Sequence, residues 1–127
     1  MPIDYQQYNK FILINRELNM LYELRIYNCF PGRLPDLLNR FENITIEIWE
    51  KHGIRQAGFW TTLIGENNQT LYYMLEWESL ADREKKWNSF QNDPEWHSKR
   101  AETEKNGPLV ASLSNSILQP TNFSSVK

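Results

Sequence analysis

One stretch, residues 53–77, constrains the fold of this chain most, because it holds two apolar runs joined by a polar turn. The runs, residues 59–64 and 71–77, are rich in aromatic and β-branched side chains, which suit a pleated strand, so the stretch predicts a β-hairpin. Side chains alternate across a strand, and in the second run Tyr73 falls on one face and Tyr72 on the other. Because both faces are largely apolar, we expect helices to cover one face and a second copy of the chain to cover the other.

The segments on either side of the hairpin predict further strands and a second helical region. Residues 21–27 alternate in polarity as a strand does, and residues 109–118 form a last strand. Ser79 is a natural N-cap for the helix that follows the hairpin. Asp93, followed by Pro94, begins a short helix after it.

The first helix is predicted over residues 34–52 from apolar side chains at three- and four-residue spacings. Its inner stripe comprises Leu34, Leu37, Leu38, Phe41, Ile44 or Thr45, Ile48 and His52. The order strand, helix, strand, strand, helix, strand defines an α+β, ferredoxin-like βαββαβ fold, with an antiparallel four-stranded sheet and both helices on one face. Two such sheets packed face to face would form a dimeric α/β barrel. We expect this domain over residues 20–119, between an N-terminal extension (1–19) and a C-terminal tail (120–127).

Composition and charge argue against several classes of function. The chain has 127 residues, enough for one domain with a sizeable core. Its 14 basic and 16 acidic residues are interspersed, so we expect no nucleic acid partner. The apolar run at residues 11–14 is too short for a membrane span, and it could dock as an extra strand or lie on the surface. Cys29 is the only cysteine, so no internal disulfide is possible, and we expect a cytoplasmic location.

Five short motifs follow one another along the predicted domain. They are YELRIY at 22–27 with PG at 31–32, EKHG at 50–53, GFWTT at 58–62, EWESLADR at 76–83 and DPEW at 93–96. Through these motifs the chain from about residue 21 to residue 118 resembles the NIPSNAP family. The resemblance implies a dimeric α/β-barrel fold. It implies no reaction, because the biochemical role of that family is poorly defined, and the extension at 1–19 lies outside it.

The sequence contains no catalytic or metal-binding motif of known spacing, and we expect neither a metal nor a cofactor. His52 is the candidate catalytic residue, as a general base, because it continues the inner stripe to the end of the first helix; the alternative is a histidine that caps the last helical carbonyls. A pairing of Cys29 with His52 is excluded because the first helix carries His52 to the opposite end of the sheet, and Cys29 is expected to be a small core residue, as a lone cysteine usually is. A pairing of Cys29 with His97 stays open, beside a surface position for His97.

Glu23 and Arg25 share a strand face with Tyr27, and they predict either a structural ion pair or the polar floor of a ligand cavity. On the predicted topology, several polar and aromatic side chains converge at one end of the sheet, although a polar cluster at helix ends would look the same. The candidate ligand-binding residues are Tyr22, Arg25, His52, Trp60, Trp77 and Arg83. Four tryptophans, Trp60, Trp77, Trp87 and Trp96, are expected in the core or in the wall of an apolar pocket.

Three functions remain open at this point. The first is a homodimeric NIPSNAP-like protein that binds a small apolar or aromatic ligand in a cavity between sheet and helices. The alternative is a cofactor-free monooxygenase or haem-related enzyme of the dimeric α/β-barrel type, which would need a base near the cavity, with His52 as the candidate. A third reading is a structural interaction domain, which would have a filled interior.

Overall fold

A computed structural model describes residues 4–7 and 20–127, so most of the predicted extension, with the run at 11–14, lies outside the described residues. Four strands form an antiparallel sheet in the order β2-β3-β1-β4. They are β1 (Leu21–Cys29), β2 (Arg55–Thr61), β3 (Thr70–Trp77) and β4 (Val110–Leu118). Strand β1 lies between β3 and β4, and β2 pairs with β3 as a hairpin. The predicted α+β, ferredoxin-like fold is therefore confirmed.

The first predicted helix forms, but it is not a regular α-helix. It consists of α1 (Leu34–Arg40), a π-helical turn (Phe41–Thr45) and α2 (Ile46–Lys51). In the π turn the Ile46 amide donates to the Phe41 carbonyl five residues back, so this turn holds one residue more than an α-helical turn. The helix ends before Gly53, whose φ of 73° is the left-handed conformation that follows many helix ends.

The extra residue changes which side chains of this helix face the core. Thr45 is buried and Ile44 is only half-buried, which decides between the two alternatives of the predicted stripe. The prediction was wrong for Leu38, which is 36% exposed. It also missed Arg40 and Trp49, which are both buried. A regular period of 3.6 residues cannot describe both sides of the π turn, which accounts for the error at Trp49. Leu38 and Arg40 lie before the turn, and the extra residue does not explain the errors at these two positions.

The second helical region consists of α3 (Leu80–Gln91) and α4 (Pro94–Thr103). Both predicted caps are confirmed: the Ser79 hydroxyl accepts a hydrogen bond from the Asp82 amide at 3.0 Å, and the Asp93 carboxylate accepts one from the Glu95 amide at 2.8 Å. No helix among residues 4–7 and 20–127 is both long and apolar enough to cross a membrane.

The two faces of the sheet differ in what covers them. The face toward the helices carries Tyr73 and Trp77, which are fully buried in one core with side chains of every helix. The opposite face, here called the outer face, carries the half-buried side chains of Leu24, Ile26, Tyr72 and Met74. None of these four belongs to the core that the helices cover. The middle of the outer face, on β1 and β3, is thus apolar, as the sequence predicts, whereas β4 presents Ser114 and Ser116 on the same face.

Trp60 lies on the outer face and is 52% exposed, so its expected position in the core or pocket was wrong. The cause is a β-bulge in β2. Gln56 pairs with Leu75 and Gly58 with Met74, so one residue is left over between them and every later side chain of β2 moves to the other face. The ring of Trp60 covers Gly58, where a Cβ atom would lie 2.5 Å from the indole.

Candidate functional site

A cavity of about 440 Å³ lies between the sheet and the helices. Aromatic rings form much of its wall, and they belong to Tyr27, Phe41, Trp49, Trp87, Phe90 and Trp96. The charged residues in the wall are three arginines, Arg25, Arg40 and Arg100, and one acid, Glu104. The size and the mixture of apolar walls with a few polar groups are typical of small-molecule sites.

Three polar atoms of the helix with the π turn are buried and have no hydrogen-bond partner in the part of the chain the structure describes, and their residues line the cavity. They are Arg40 Nε, Thr45 Oγ1 and Trp49 Nε1. Thr45 and Trp49 are each only 2% exposed, and Arg40 is 5% exposed. A buried donor without an acceptor costs about 1–3 kcal/mol, so three in one wall are a substantial cost to the free energy of folding.

Arg40 is a buried arginine with a shared counter-charge. Its Nη1 donates to Glu104 Oε1 and to Thr103 Oγ1, both at 3.3 Å, and its guanidinium lies 5.7 Å from the centre of the Trp96 ring. Burial lowers the pKa of Arg40, and the hydrogen bond to Glu104 opposes this shift. Arg100 also faces Glu104, at 3.9 Å, so one carboxylate serves two arginines.

Behind the cavity, the carboxylate of Glu23 is fully buried and accepts five hydrogen bonds. Arg83 donates two of them, at 2.7 and 3.1 Å, and Arg25 Nη1, Trp77 Nε1 and Asn115 Nδ2 donate the others at 2.8–3.0 Å. Burial alone would raise the pKa of Glu23, but the hydrogen bonds from Arg83, Asn115 and Arg25 lower it to about 2. Glu23 therefore stays ionised and holds Arg25 in place.

Arg25 connects Glu23 to two tyrosines. Its Nε donates to the Tyr73 hydroxyl at 2.7 Å and its Nη2 to the Tyr27 hydroxyl at 3.1 Å, while its guanidinium lies 4.6 Å from the centre of the Trp87 ring. The two hydroxyls are 2.8 Å apart and share one hydrogen bond. Two hydroxyl protons serve one such bond, so one proton is left over. Tyr73 donates the bond between them, so the remaining proton belongs to Tyr27, a residue that lines the cavity.

His52 lies in a separate cluster that joins the end of α2 to the start of α4. Its Nε2 is 2.6 Å from Asp93 Oδ2 and its Nδ1 is 2.9 Å from Ser89 Oγ. Lys51 Nζ contacts the same Asp93 oxygen at 2.7 Å, and the hydrogen bonds from Lys51 and His52 lower the pKa of Asp93. Ser89, His52 and Asp93 are the residue types of a hydrolase triad, but the two ring nitrogens are exchanged relative to a triad, and neither Ser89 nor His52 lines the cavity. The imidazole binds these side chains rather than the last helical carbonyls.

The structure brings some of the predicted ligand-binding residues together and separates others. Arg25, Trp77 and Arg83 meet at Glu23 on the helix side of the sheet, and Arg25 also lines the cavity. Tyr22 pairs with Glu76 on the outer face, where Trp60 also lies. His52 is in the cluster with Asp93 described above. The catalytic and ligand-binding roles assigned to these residues stay predictions.

Among the residues that line the cavity, the sequence did not single out Arg40, Trp49, Arg100 or Glu104, and it gave Thr45 only as one of two alternatives for the inner stripe. For Arg40 the available signal was its spacing of three residues from Leu37, but the predicted stripe was built from apolar side chains and passed over the arginine. Cys29 lies in the core, and burial raises the pKa of its thiol, as expected of a small core residue. His97 is exposed, with Nε2 bonded to the Gln91 carbonyl. Within the described ranges no group of acidic, histidine and cysteine side chains could hold a metal ion.

In architecture the chain is a ferredoxin-like α+β protein with an aromatic cavity between its sheet and helices. It belongs to the NIPSNAP family, whose family model matches residues 22–125. No curated protein matches this sequence.

Solved structures give the same result. The chain is similar to an uncharacterized NIPSNAP-like domain protein from Burkholderia xenovorans, with 29% identity and a TM-score of 0.74 over 84% of this chain and 90% of that chain. It is also similar to a NIPSNAP family protein with unknown function from Agrobacterium tumefaciens, with 28% identity and a TM-score of 0.76 over 87% and 96% of the two chains. A putative antibiotic biosynthesis monooxygenase from Chloroflexus aurantiacus shares the fold, at 14% identity and a TM-score of 0.53 over 85% and 99%.

Proposed function

We propose that this NIPSNAP-family protein is a cytoplasmic homodimer that binds a small apolar or aromatic ligand in the cavity between the sheet and the helices. The observation that carries the proposal is the cavity itself. Its volume of about 440 Å³ falls in the range of ligand sites, and six aromatic side chains line it. A structural interaction domain would instead be expected to fill this space, since protein interiors are close-packed.

The outer face of the sheet supports the homodimer. It presents Leu24, Ile26, Tyr72 and Met74 outside the core of the helices, together with the half-exposed indole of Trp60. Soluble proteins seldom leave such an apolar surface open to water. A second copy of the chain would cover it, with the two sheets face to face across a two-fold axis.

Native mass spectrometry of the freshly purified chain, under gentle and then harsher activation, tests both parts. A dimer that releases a discrete small mass on activation is the expected result. A monomer at micromolar concentration would contradict the dimer. An empty dimer whose melting temperature does not rise with any of a panel of small aromatic compounds would contradict the ligand site, since a bound ligand stabilises the folded state.

The network at Tyr27 favours one alternative, a cofactor-free monooxygenase or haem-related enzyme. Tyr27, a phenol in the cavity wall that is hydrogen-bonded to Arg25, could exchange a proton with a bound aromatic substrate. His52, the base predicted for this chemistry, is in the cluster with Asp93 instead of the cavity wall. A spectral titration with haem and an assay for O₂-dependent turnover of quinols test the alternative. Absence of both binding and turnover would eliminate it.

A further inference from the structure

Strand β4 is an edge of the sheet that is left open in the part of the chain that the structure describes. It pairs with β1 on one side only, and all of its residues after Val110 are exposed. Leu113 and Ile117, whose side chains lie on the helix side of the strand, are 53% and 40% exposed. The helices therefore do not cover β4, and both its free edge and its helix-side surface are accessible.

The composition of β4 is unusual for a free edge. Residues 106–126, which contain the strand, carry no charged side chain, although 24% of the chain is charged. Soluble proteins commonly protect an edge strand with charges, proline or a bulge. The opposite edge has such protection, because β2 begins with Arg55, ion-paired with Glu76 at 3.4 Å, and is interrupted by its bulge. The contrast indicates that another strand covers β4 in the assembled protein.

The hydrogen bonds of β1 show which backbone groups of β4 face the free edge. The Cys29 amide donates to the carbonyl of Gln69, the residue before β3, so Cys29 faces β3 and the preceding residue, Asn28, faces β4. Successive residues of a strand alternate in this direction, and opposite residues of an antiparallel pair face each other. Along β4 the residues that face β1 are therefore Ser112, Ser114 and Ser116, and those that face the free edge are Leu113, Asn115 and Ile117.

The cavity opens at the same edge. Residues 110–113 of β4 belong to its wall, and the exposed residues of the wall are Gln91, Arg100, Pro108, Ala111, Ser112 and Leu113. Since β4 is the last strand on this side, no further strand of the described chain stands beside the mouth. A strand paired with β4, about 4.8 Å away, would bring its own helix-side side chains to the mouth. The wall on the sheet side is thus incomplete in a single copy.

A second copy of the chain can supply this strand. Two β4 strands related by a two-fold axis pair antiparallel, and without charged side chains they lose little hydration when they meet. The outer face proposed for the dimer also continues onto β4, because Leu24 and Ile26 of β1 pair with Ser116 and Ser114. Two sheets that lie face to face can therefore also join along β4, as neighbouring strands of a barrel do.

We propose that the β4 strands of two copies pair along their free edges and that the partner's strand completes the ligand cavity. With the two-fold axis near the middle of the strand, at Ser114, antiparallel pairing sets the end of one strand beside the start of the other. Ile117 of the partner subunit then lies at the mouth formed by residues 110–113. This inference rests on the proposed homodimer and ligand site, and it adds that two copies share the site. Ligand binding and dimer formation then stabilise each other.

Amide hydrogen exchange of the unsubstituted chain, followed residue by residue by NMR, tests the strand pairing. The amides of Ser114 and Ser116 are bonded to β1 with or without a partner, whereas those of Leu113, Asn115 and Ile117 are protected only if a strand covers the edge. In the dimer the two sets are expected to exchange at rates within about tenfold of each other. In a monomeric Met74→Lys variant the second set should exchange about a hundredfold or more faster than the first.

A pair of variants tests whether the partner belongs to the site. Ile117→Pro removes an amide hydrogen that faces the free edge, a position where proline does not disturb the pairing with β1. Ile117→Thr is the matched control, because it removes the same apolar side chain and keeps the amide. Isothermal titration calorimetry uses 2-naphthol and indole as probes. Ile117→Pro is expected to bind at least one of them about tenfold or more weakly than Ile117→Thr does, although Ile117 does not line the cavity of its own copy.

The outcomes separate this inference from the proposed function. A dimer in which the amides of Leu113, Asn115 and Ile117 exchange as fast as in the monomer would overturn the strand pairing and leave the homodimer in place. Equal binding of both probes by Ile117→Pro and Ile117→Thr would overturn the shared site and leave the ligand-binding function in place. A parent chain that is monomeric, or that binds neither probe, would overturn the proposed function and this inference together.

Discussion

At Glu23, five hydrogen bonds converge on one carboxylate that is fully buried. The carboxylate holds Arg25, on β1, and Arg83, on α3. Glu23 therefore joins the sheet to the second helical region. A buried ion network of this kind is strongly destabilising when one partner is removed, because the others remain buried without their counter-charge. The position of Arg25 therefore depends on Glu23. The positions of Tyr27 and Tyr73 depend on Glu23 through Arg25.

Glu23→Gln should lower the free energy of unfolding at pH 7 by about 3–5 kcal/mol. It should also remove part of the acid sensitivity. The pKa of Glu23 falls from 4.5 to about 2 on folding, so the unfolded chain binds the proton first as the pH decreases. Stability from this group is complete above pH 4.5 and is lost as the pH falls toward 2.

Urea titrations between pH 7 and pH 2.5 measure this contribution. Exposed Glu47 provides the control, and Glu47→Gln should leave both stability and its pH dependence close to those of the unsubstituted chain. A Glu23→Gln variant whose stability still falls as steeply as that of the unsubstituted chain between pH 4.5 and 2.5 would show that other groups cause the acid sensitivity.

Two buried threonines allow a second prediction at the level of single residues. Thr70 donates to Asn28 Oδ1 at 2.8 Å, whereas the Thr45 hydroxyl has no partner among the described residues, and each is 2% exposed. Thr70→Val should lower the free energy of unfolding by about 1–2 kcal/mol, while Thr45→Val should leave it unchanged or raise it by about 1 kcal/mol. Chemical denaturation of the two variants side by side measures the difference. Equal losses would mean that Thr45 has a structural partner.

Among the elements, the first helix departs furthest from its predicted form. Its boundaries follow from the sequence, since Pro35 suits the first turn and Gly53 follows the end. The π turn does not follow from the sequence, because no residue type in this segment signals the extra residue. The helix segments before and after the π turn both direct side chains into the core. They can do so only if the extra residue is contained within the turn.

Deletion of Asn43, an exposed residue inside the π turn, should therefore restore a regular turn and leave the flanking faces in place. The variant should fold, with a melting temperature within about 5 °C of the parent chain, a shift that corresponds to about 1 kcal/mol. Deletion of Glu47, exposed but outside the turn, would rotate Ile48 and Trp49 away from the core and should abolish cooperative melting. Circular dichroism melts compare the two deletions. Equal damage from both would argue against this account of the turn.

At the scale of the whole molecule, the sheet separates two sets of residues that the sequence analysis assigned to one ligand site. The face toward the helices carries the cavity and the Glu23 network, and the outer face carries the apolar surface proposed for the dimer. Tyr22 and Trp60, predicted to bind the ligand, lie on the outer face with the dimer surface, whereas Arg25, Trp77 and Arg83 meet on the helix side.

Met74→Lys should disrupt the proposed dimer, because it places a charge in the middle of the outer face, and the chain should run as a monomer at about 10 μM. Light scattering after size-exclusion chromatography measures the mass. The control is Leu63→Lys, since Leu63 is 95% exposed in the loop between β2 and β3, and this variant should assemble like the parent chain. A dimeric Met74→Lys variant would place the interface elsewhere.

The fold was predictable from the sequence because the strand signals are strictly local. The alternation of Glu23, Arg25 and Tyr27 fixed their common face, and Ser79 and Asp93 marked the starts of the later helices. The site was only partly predictable. Trp60 and Trp49 were misplaced or missed for one shared reason: each follows a single inserted residue, one in a β-bulge and one in a π turn, that a fixed period cannot register.

The bulge in β2 has a consequence for how this protein can change. Without the extra residue between Gln56 and Gly58, Trp60 would point toward the helices and Phe59 would point away from them. One residue of chain length thus decides which of two neighbouring aromatic rings serves the interior and which serves the outside. In this hairpin, the gain or loss of a single codon would exchange the roles of two unaltered side chains, a change that no point substitution could achieve.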